Sequence, residues 1–214
     1  MLETCLVLIP ILIVAGLIFE VVQMNQIKSI ARLALYEAGR HASVTHAEPT
    51  LFEKMFKQHM IAQFVPKGSF ASAEDRQHAS IKQQKQKTGL PIWKLTVVSP
   101  TKESFNDFAD PKLSKTNKRP TIRHDYMDVQ HNLRIKQGWT EGKGPQSRQT
   151  IFQANTVKIK LTYFHSPSLP GLKTALQLIG KIRSDDIGHA WRQGLFVIVM
   201  EHQVMMQSDL KNWW

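Results

Sequence analysis

Apolar residues are concentrated in the first two dozen positions of the chain. From Leu6 to Val22, 13 of the 17 residues are Leu, Ile, Val or Phe, and the apolar run is interrupted only by Pro10, Gly16 and Glu20. At about 0.3 to 0.6 kcal/mol for each such residue, insertion into a bilayer gains roughly 6 kcal/mol, more than a carboxylate near one end costs. We therefore predict a transmembrane anchor over residues 1–24. A cleaved secretory signal would need a basic start, a shorter apolar core and a small-residue cleavage site.

The helical pattern continues beyond this apolar segment. Small and apolar residues recur at spacings of three and four: Met24, Ile27, Ala31, Ala34, Ala38 and Ala42. No proline intervenes before Pro49, so we predict one helix from about Leu2 to Val44. Such a helix is roughly 65 Å long, about twice the hydrocarbon core, which makes residues 25–48 a helical stalk. Its alanines suit either close approach by another helix or packing on the chain's own sheet.

The remaining residues, 49–214, predict an α+β domain in which the long helix, transmembrane and then stalk, packs on a small antiparallel sheet with additional short helices. Thr50–Phe64 has a Met- and Phe-rich apolar side that suits a packed core better than a ligand pocket. Leu172–Ile182 has an apolar face formed by Leu172, Ala175, Leu176, Ile179 and Ile182. Four segments have strand composition: Ile92–Val98, Val129–Lys136, Thr156–Phe164 and Leu195–Gln207. Three polar stretches are predicted to be long exposed loops or partly disordered segments: Ala71–Gly89, Pro100–Arg123 and Gly138–Thr150.

Charge is distributed as unevenly as hydropathy. All 28 Lys and Arg residues lie beyond Met24 together with 15 of the 17 acidic residues, so the chain after Met24 carries a formal charge of +13. This charge suits anionic partners such as nucleic acid, acidic glycans or lipid headgroups. Because the cations are scattered, solubility explains them better than nucleic-acid binding, which is possible but not favoured.

The sequence contains no recognisable catalytic or metal-binding motif, and we predict neither enzymatic activity nor a cofactor. Cys5 lies in the apolar segment, so the rest of the chain has no thiol nucleophile and no cysteine metal ligand. His41 and His46 are five residues apart, which does not place them on one helical face. His124 and Asp125 are adjacent and point apart.

Two carboxylates flank the apolar segment. A charged side chain at the edge of a membrane helix costs free energy and usually has a partner. For Glu3 the partner could be an amine at a chain terminus. Glu20 could instead reach the interface without a partner.

The opening of the chain resembles the TadE-like family of pilus assembly proteins. The shared features are an early glutamate, an apolar span with a proline, a second acid at its far end and an alanine-rich helix: Leu2-Glu3, Pro10, Gly16, Glu20, Ala31 to Ala42 and Glu37-Ala38-Gly39-Arg40. Residues 155–163, Pro167, Pro170 and Val204–Asp209 with Met206-Gln207-Ser208 also look like the ends of longer members. Pro49–Arg148 has no recognised counterpart.

The resemblance implies a pseudopilin or minor pilin of the tight-adherence (Flp) type IV pilus system, in a bacterial inner membrane with its domain in the periplasm. Its partners would be other pilins and the assembly machinery. Glu3 would neutralise the terminal amine of a neighbouring subunit, and helix packing would use Pro10, Glu20, Ala31, Ala34, Ala38 and Ala42. Pilin precursors also carry a basic leader, which is not seen before Met1, so either the start lies upstream or the protein is an unprocessed relative. The rival hypothesis is a signal-anchored periplasmic protein that binds polyanions through its basic domain.

Overall fold

The computed structural model describes residues 2–66 and 68–213, with side chains for all of these except residues 2–7, 9 and 170. It is a mixture of helices with a small antiparallel sheet, which confirms the predicted fold class. The helices are α1 (Leu2–Val44), α2 (Pro49–His59), α3 (Ala73–Thr88), α4 (Lys102–Phe108), α5 (Pro111–Asn117), α6 (Met127–Lys136), α7 (Ile151–Ala154), α8 (Pro170–Gly180) and α9 (Asp186–Arg192). The strands are β1 (Trp93–Ser99), β2 (Thr121–Ile122), β3 (Thr156–His165), β4 (Phe196–Met205) and β5 (Leu210–Lys211). Two 3₁₀ turns occupy Met60–Gln63 and Thr140–Gly142.

The long first helix and the main sheet are both as the sequence predicts. Helix α1 runs without interruption to Val44. The three-stranded sheet has the order β1-β3-β4, and these strands match three of the four predicted segments. In β3 the alternating residues Val157, Ile159, Leu161 and Tyr163 are buried, so one face of this strand lies in the core. A second, two-stranded sheet pairs β2 with β5 in antiparallel register, with Ile122 opposite Leu210.

The chain divides into two compact units, and both take part of α1 and part of the three-stranded sheet. The first comprises residues 1–32, 61–94 and 161–199, and the second comprises residues 33–60, 95–160 and 200–214. In the first unit Phe164, Ala190 and Leu195 form an apolar cluster, and Trp93 stacks on Tyr163 at a ring-centre distance of 6.5 Å.

The core of the second unit is built from α1, α2 and the shorter elements that follow. Phe52, Phe56 and Met60 are buried, which confirms packing as the role of the Met- and Phe-rich helix. That helix begins one residue early, at Pro49, and tightens into the 3₁₀ turn after His59.

The prediction of a loop over Ala71–Gly89 is wrong, because α3 fills most of it. Hydrophobic periodicity misses this helix since Gln77 is its only fully buried residue. The helix is instead marked at its ends: the Ser72 hydroxyl accepts from the Asp75 N–H, and Gly89 closes the C-terminus in a left-handed conformation with φ +72°. Gln- and Lys-rich composition is compatible with helix where few side chains must be buried.

Two further predictions between the main strands need correction. Val129–Lys136 is not a strand but lies in helix α6, whose apolar residues Val129, Leu133 and Ile135 are all exposed. None of the three therefore marks a buried face, and strand composition alone does not favour a strand where no face is buried. Residues 100–123 are not one loop, since they contain α4, α5 and β2. Residues 138–150 are irregular apart from a 3₁₀ turn, as predicted.

Helix α8 confirms the helix predicted from Leu172, but it ends at Gly180 and its apolar residues are not all buried. Leu176 is buried, whereas Ile179 is 51% exposed and Ile182, just beyond the helix, is 89% exposed. The helix starts at Pro170, whose fixed φ suits the first turn.

Gly89 gives a test of how α3 ends. Gly89→Ala should lower the free energy of unfolding by about 1 kcal/mol, because an alanine in the left-handed region is strained even though the space around this residue is open. The matched control is Gly171→Ala in α8, which also meets nothing within 4 Å but has no positive φ, and it should be neutral or slightly stabilising. Chemical unfolding of the two variants beside the unmodified chain measures the difference, and equal effects would contradict the assigned helix end.

Candidate functional site

The apolar part of α1 is exposed on nearly all sides. From Pro10 to Val22 only Gly16 and Glu20 are shielded, and these two residues lie four apart on one side of the helix. Only 11% of the most apolar 18-residue segment of this helix is buried, so this segment is not part of the core of the described fold. It is long and apolar enough to cross a membrane, by length and composition.

The shielded side of the helix is centred on Glu20, whose side chain is buried. Glu20 has a relative exposure of 2%, and its partner His165 has 8%. The Nε2 atom of His165 lies 2.6 Å from Oε1 of Glu20. The backbone N–H of Ser168 donates to Oε2 at 2.9 Å. Both carboxylate oxygens therefore have hydrogen-bond partners, which offsets much of the cost of burying the group.

The partners of Glu20 belong to one short segment, which we call the strap, residues 165–169. It begins at the last residue of β3 and leads into α8. Besides the two bonds to Glu20, the Ser168 hydroxyl donates to Oε1 of Gln23 at 3.0 Å. At the strap's end the Leu169 side chain lies over Gly16, where an added Cβ would come within 2.8 Å of Cδ1. The strap therefore contacts α1 along two helical turns, from Gly16 to Gln23.

The small residues of the stalk continue the same side of the helix and are buried. In the first unit Ile27 and Ala31 have exposures of 2% or less. In the second unit Ala34, Ala38 and Ala42 do as well. Of the two alternatives left open by the sequence, packing within the chain is the one observed.

Contacts in the second unit show what packs against these small residues. Ala42 borders a small apolar cavity together with Val97 of β1 and Val157 of β3. A Cβ on Gly39 would lie 3.0 Å from the His202 ring of β4. Burial lowers the pKa of His202 below its usual value, which favours the neutral ring at this contact.

The C-terminal end of α1 is hydrogen-bonded to the residues that follow β4. The backbone N–H of Gln207 and the hydroxyl of Ser208 both donate to the carbonyl of Ser43, at 2.9 and 3.0 Å. The same hydroxyl accepts from the N–H of His46. The His46 ring Nδ1 lies 2.7 Å from the carbonyl oxygen of Asp209. Carbonyls in the last turn of a helix lack intrahelical partners, so this segment acts as its cap.

The remaining residues singled out by the sequence have simpler positions. Pro10 lies exposed within the helix. The side chain of Glu3 lies outside the described residues. Within residues 2–66 and 68–213 no group of three or more His, Cys, Asp or Glu side chains is placed to hold a metal ion. In the second unit a cleft of about 470 Å³ is bordered by Arg148 and Lys158, but Lys158 Nζ lies 2.8 Å from a carboxylate oxygen of Glu201.

Sequence reasoning missed His165 and Ser168 as partners of Glu20. Both are polar residues separated from it by more than 140 positions, and no local pattern connects them. One feature of the sequence could have indicated a partner: an unpaired acid on an apolar helix costs free energy, which implies a hydrogen-bond donor elsewhere in the chain. Pro167 and Pro170, just after β3, mark the segment that contains this donor.

No family model, curated protein or solved structure matches this chain.

The strap contact can be tested by removing its acceptor. Glu20→Ala leaves the buried His165 ring without its acceptor and removes the acceptor of the Ser168 N–H, so it should lower the free energy of unfolding by about 3 kcal/mol. The matched control is Glu37→Ala on the same helix, which removes an exposed ion pair with Arg40 (3.1 Å) and should cost about 0.5 kcal/mol. Unfolding of the full chain in detergent micelles provides the measurement. Equal losses for the two variants would contradict a structural role for the Glu20 contact.

Proposed function

We propose that this protein is a membrane-anchored, TadE-like minor pilin or pseudopilin that takes part in assembly of a tight-adherence type IV pilus. In this proposal the apolar half of α1 inserts among the membrane helices of other pilins. The α+β domain initiates, caps or helps to assemble the fibre. The action is binding rather than catalysis.

The observation that carries the proposal is that one uninterrupted helix is exposed and apolar in its first half and packed in the domain in its second half. Its first half exposes apolar side chains on nearly every side, including Leu12, Ile18 and Phe19. Its second half buries small residues against an antiparallel sheet domain. A subunit built this way can leave the bilayer through helix packing alone, because its apolar side chains can contact neighbouring subunits as readily as lipid.

The sequence resemblance adds a second argument, since it is concentrated in the parts of the chain that contact α1. Pro167 belongs to the strap, and Gln207 and Ser208 cap the end of the helix. The unrecognised middle, 49–148, supplies α2 to α6 and two further strands. Pro167, Gln207 and Ser208 therefore lie in segments that contact α1. This supports the TadE-like resemblance, because the long N-terminal helix is the main feature by which the chain resembles that family.

Glu3 is proposed to pair with the terminal amine of a neighbouring subunit. A carboxylate near the start of an apolar helix gains most when it meets a positively charged amine of a neighbouring subunit in a low-dielectric setting. Glu20 has a different task in this proposal, because its oxygens are already satisfied by the strap. The domain would lie in the periplasm, with the anchor in the bacterial inner membrane.

The test compares pilus yield and crosslinking to pilins for Glu3→Ala and the unmodified protein at equal membrane abundance. Removal of the charge eases insertion, so abundance should hold, whereas pilus yield and crosslinks should fall several-fold. The control is Glu37→Ala, which removes a carboxylate from the same helix outside the apolar segment. Glu20→Ala is unsuitable as the control because it also releases the strap. Normal fibres from Glu3→Ala would overturn the pilin-like mechanism.

A further inference from the structure

Helix α8 and the residues after it present apolar side chains outward. Leu178 is 59% exposed, Ile179 is 51% exposed and Ile182 is 89% exposed, whereas Leu176 points into the core. Leaving large aliphatic groups in water forgoes the free energy that their burial would gain. Three such groups lie within five residues of one another, so together they form an apolar patch on the first unit.

Cations lie within and beside this patch. They are Lys173, Lys181 and Arg183, of which Arg183 is paired with Asp185, its Nε lying 2.7 Å from a carboxylate oxygen. Lys181 is exposed between the apolar residues Ile179 and Ile182. Aliphatic side chains with interspersed cations are typical of helices that lie in the interface of a membrane, where cations meet lipid phosphates.

The strap fixes where α8 begins along α1. It contacts α1 from Gly16 to Gln23, and α8 starts at the next residue after Leu169. From Leu2 to Val22 a helix rises roughly 30 Å, about the thickness of the hydrocarbon core, so Gly16 lies roughly 9 Å inside its edge and Gln23 just beyond it. The strap therefore contacts α1 across the boundary between acyl chains and headgroups, and the first turn of α8 is held at that boundary.

We propose that α8 is an interfacial helix that lies on the lipid surface of the membrane crossed by α1. Leu178, Ile179 and Ile182 enter the boundary between headgroups and acyl chains, and Lys181 lies at the level of the phosphates. Helix α8 starts beside Leu169, which lies over Gly16 in the exposed apolar part of α1, and together with the cations this makes lipid the occupant. The inference rests on the membrane anchoring proposed above and is independent of any role in a pilus.

The test uses the full chain in vesicles of phosphatidylcholine and phosphatidylglycerol, with Cys5→Ser as background and an environment-sensitive fluorophore on a single introduced cysteine. Ile182→Cys probes the patch, and its high exposure lets the label attach without disturbing the core. Leu33→Cys is the matched control, an exposed residue (61%) roughly 20 Å beyond Glu20 along α1. Ile18→Cys reports insertion of the anchor itself. Quenching by lipids that carry a spin label high on the acyl chain is then measured for each.

The expected result is several-fold stronger quenching at 182 and at 18 than at 33. Quenching at 18 with none at 182 would overturn the interfacial helix while the anchor stands. Absence of quenching at both positions would overturn the anchoring and the inference together. A blue-shifted but unquenched probe at 182 would show that another protein surface covers the patch, and this also overturns the proposal.

A second measurement separates packing from lipid contact. With the probe moved to Ile179→Cys, adding Leu178→Ser and Ile182→Ser should reduce the quenching several-fold, because the patch loses the apolar surface that enters the lipid. The control pair Leu178→Ile and Ile182→Leu keeps that surface and should preserve it. Equal quenching in both pairs would contradict the role of these side chains.

Discussion

The fold depends on satisfying one buried carboxylate at the point where an apolar helix meets its domain. Glu20 lies between Phe19 and Val21 near the end of the apolar run, and an unpaired charge there would oppose both burial and insertion. The strap supplies a ring nitrogen and a backbone N–H, one to each carboxylate oxygen. Because the strap leads from β3 to α8, this single contact connects the sheet, the helix α8 and the apolar part of α1 in the first unit.

At the C-terminal end of α1, backbone carbonyls rather than a carboxylate receive hydrogen bonds from the domain. The last turn has carbonyls without intrahelical partners, and the segment after β4 donates to Ser43 twice. Between these ties, residues with small side chains let the helix lie close to its own domain. Space at Gly39 is already limited by His202, so a larger residue there would have to move the ring. Both ties come from chain segments that directly follow a strand of the central sheet.

The sequence predicted those parts of the fold in which one side of an element is buried. The stripe from Ile27 to Ala42 and the alternation in β3 are visible because burial repeats with the period of the element. Helix α3 is polar on nearly every side and is defined by Ser72 and Gly89 at its ends, so periodicity could not find it. Helix α6 has apolar residues that are exposed, and its composition predicted a strand where the structure has a helix.

The candidate site was predictable only in part. Glu20 stands out because an acid is costly in its surroundings, but the identity of its partner depends on a tertiary contact across more than 140 residues. Likewise, the apolar side of α8 was visible in the sequence while its direction was not. Burial of Leu176 and exposure of Ile179 follow from how α8 packs in the first unit, which no local pattern encodes.

The central claim is that α1 passes from lipid into its own domain near Glu20, and the most direct measurement is cysteine accessibility along this helix in intact membranes. Val14, Ile18, Ser29 and Leu33 are all exposed in the structure, so a difference between them must come from a surrounding membrane. In a Cys5→Ser background, we predict that a membrane-impermeant maleimide modifies cysteines at 29 and 33 but not at 14 and 18, which react only after the chain is denatured. Equal modification at all four positions would contradict the account.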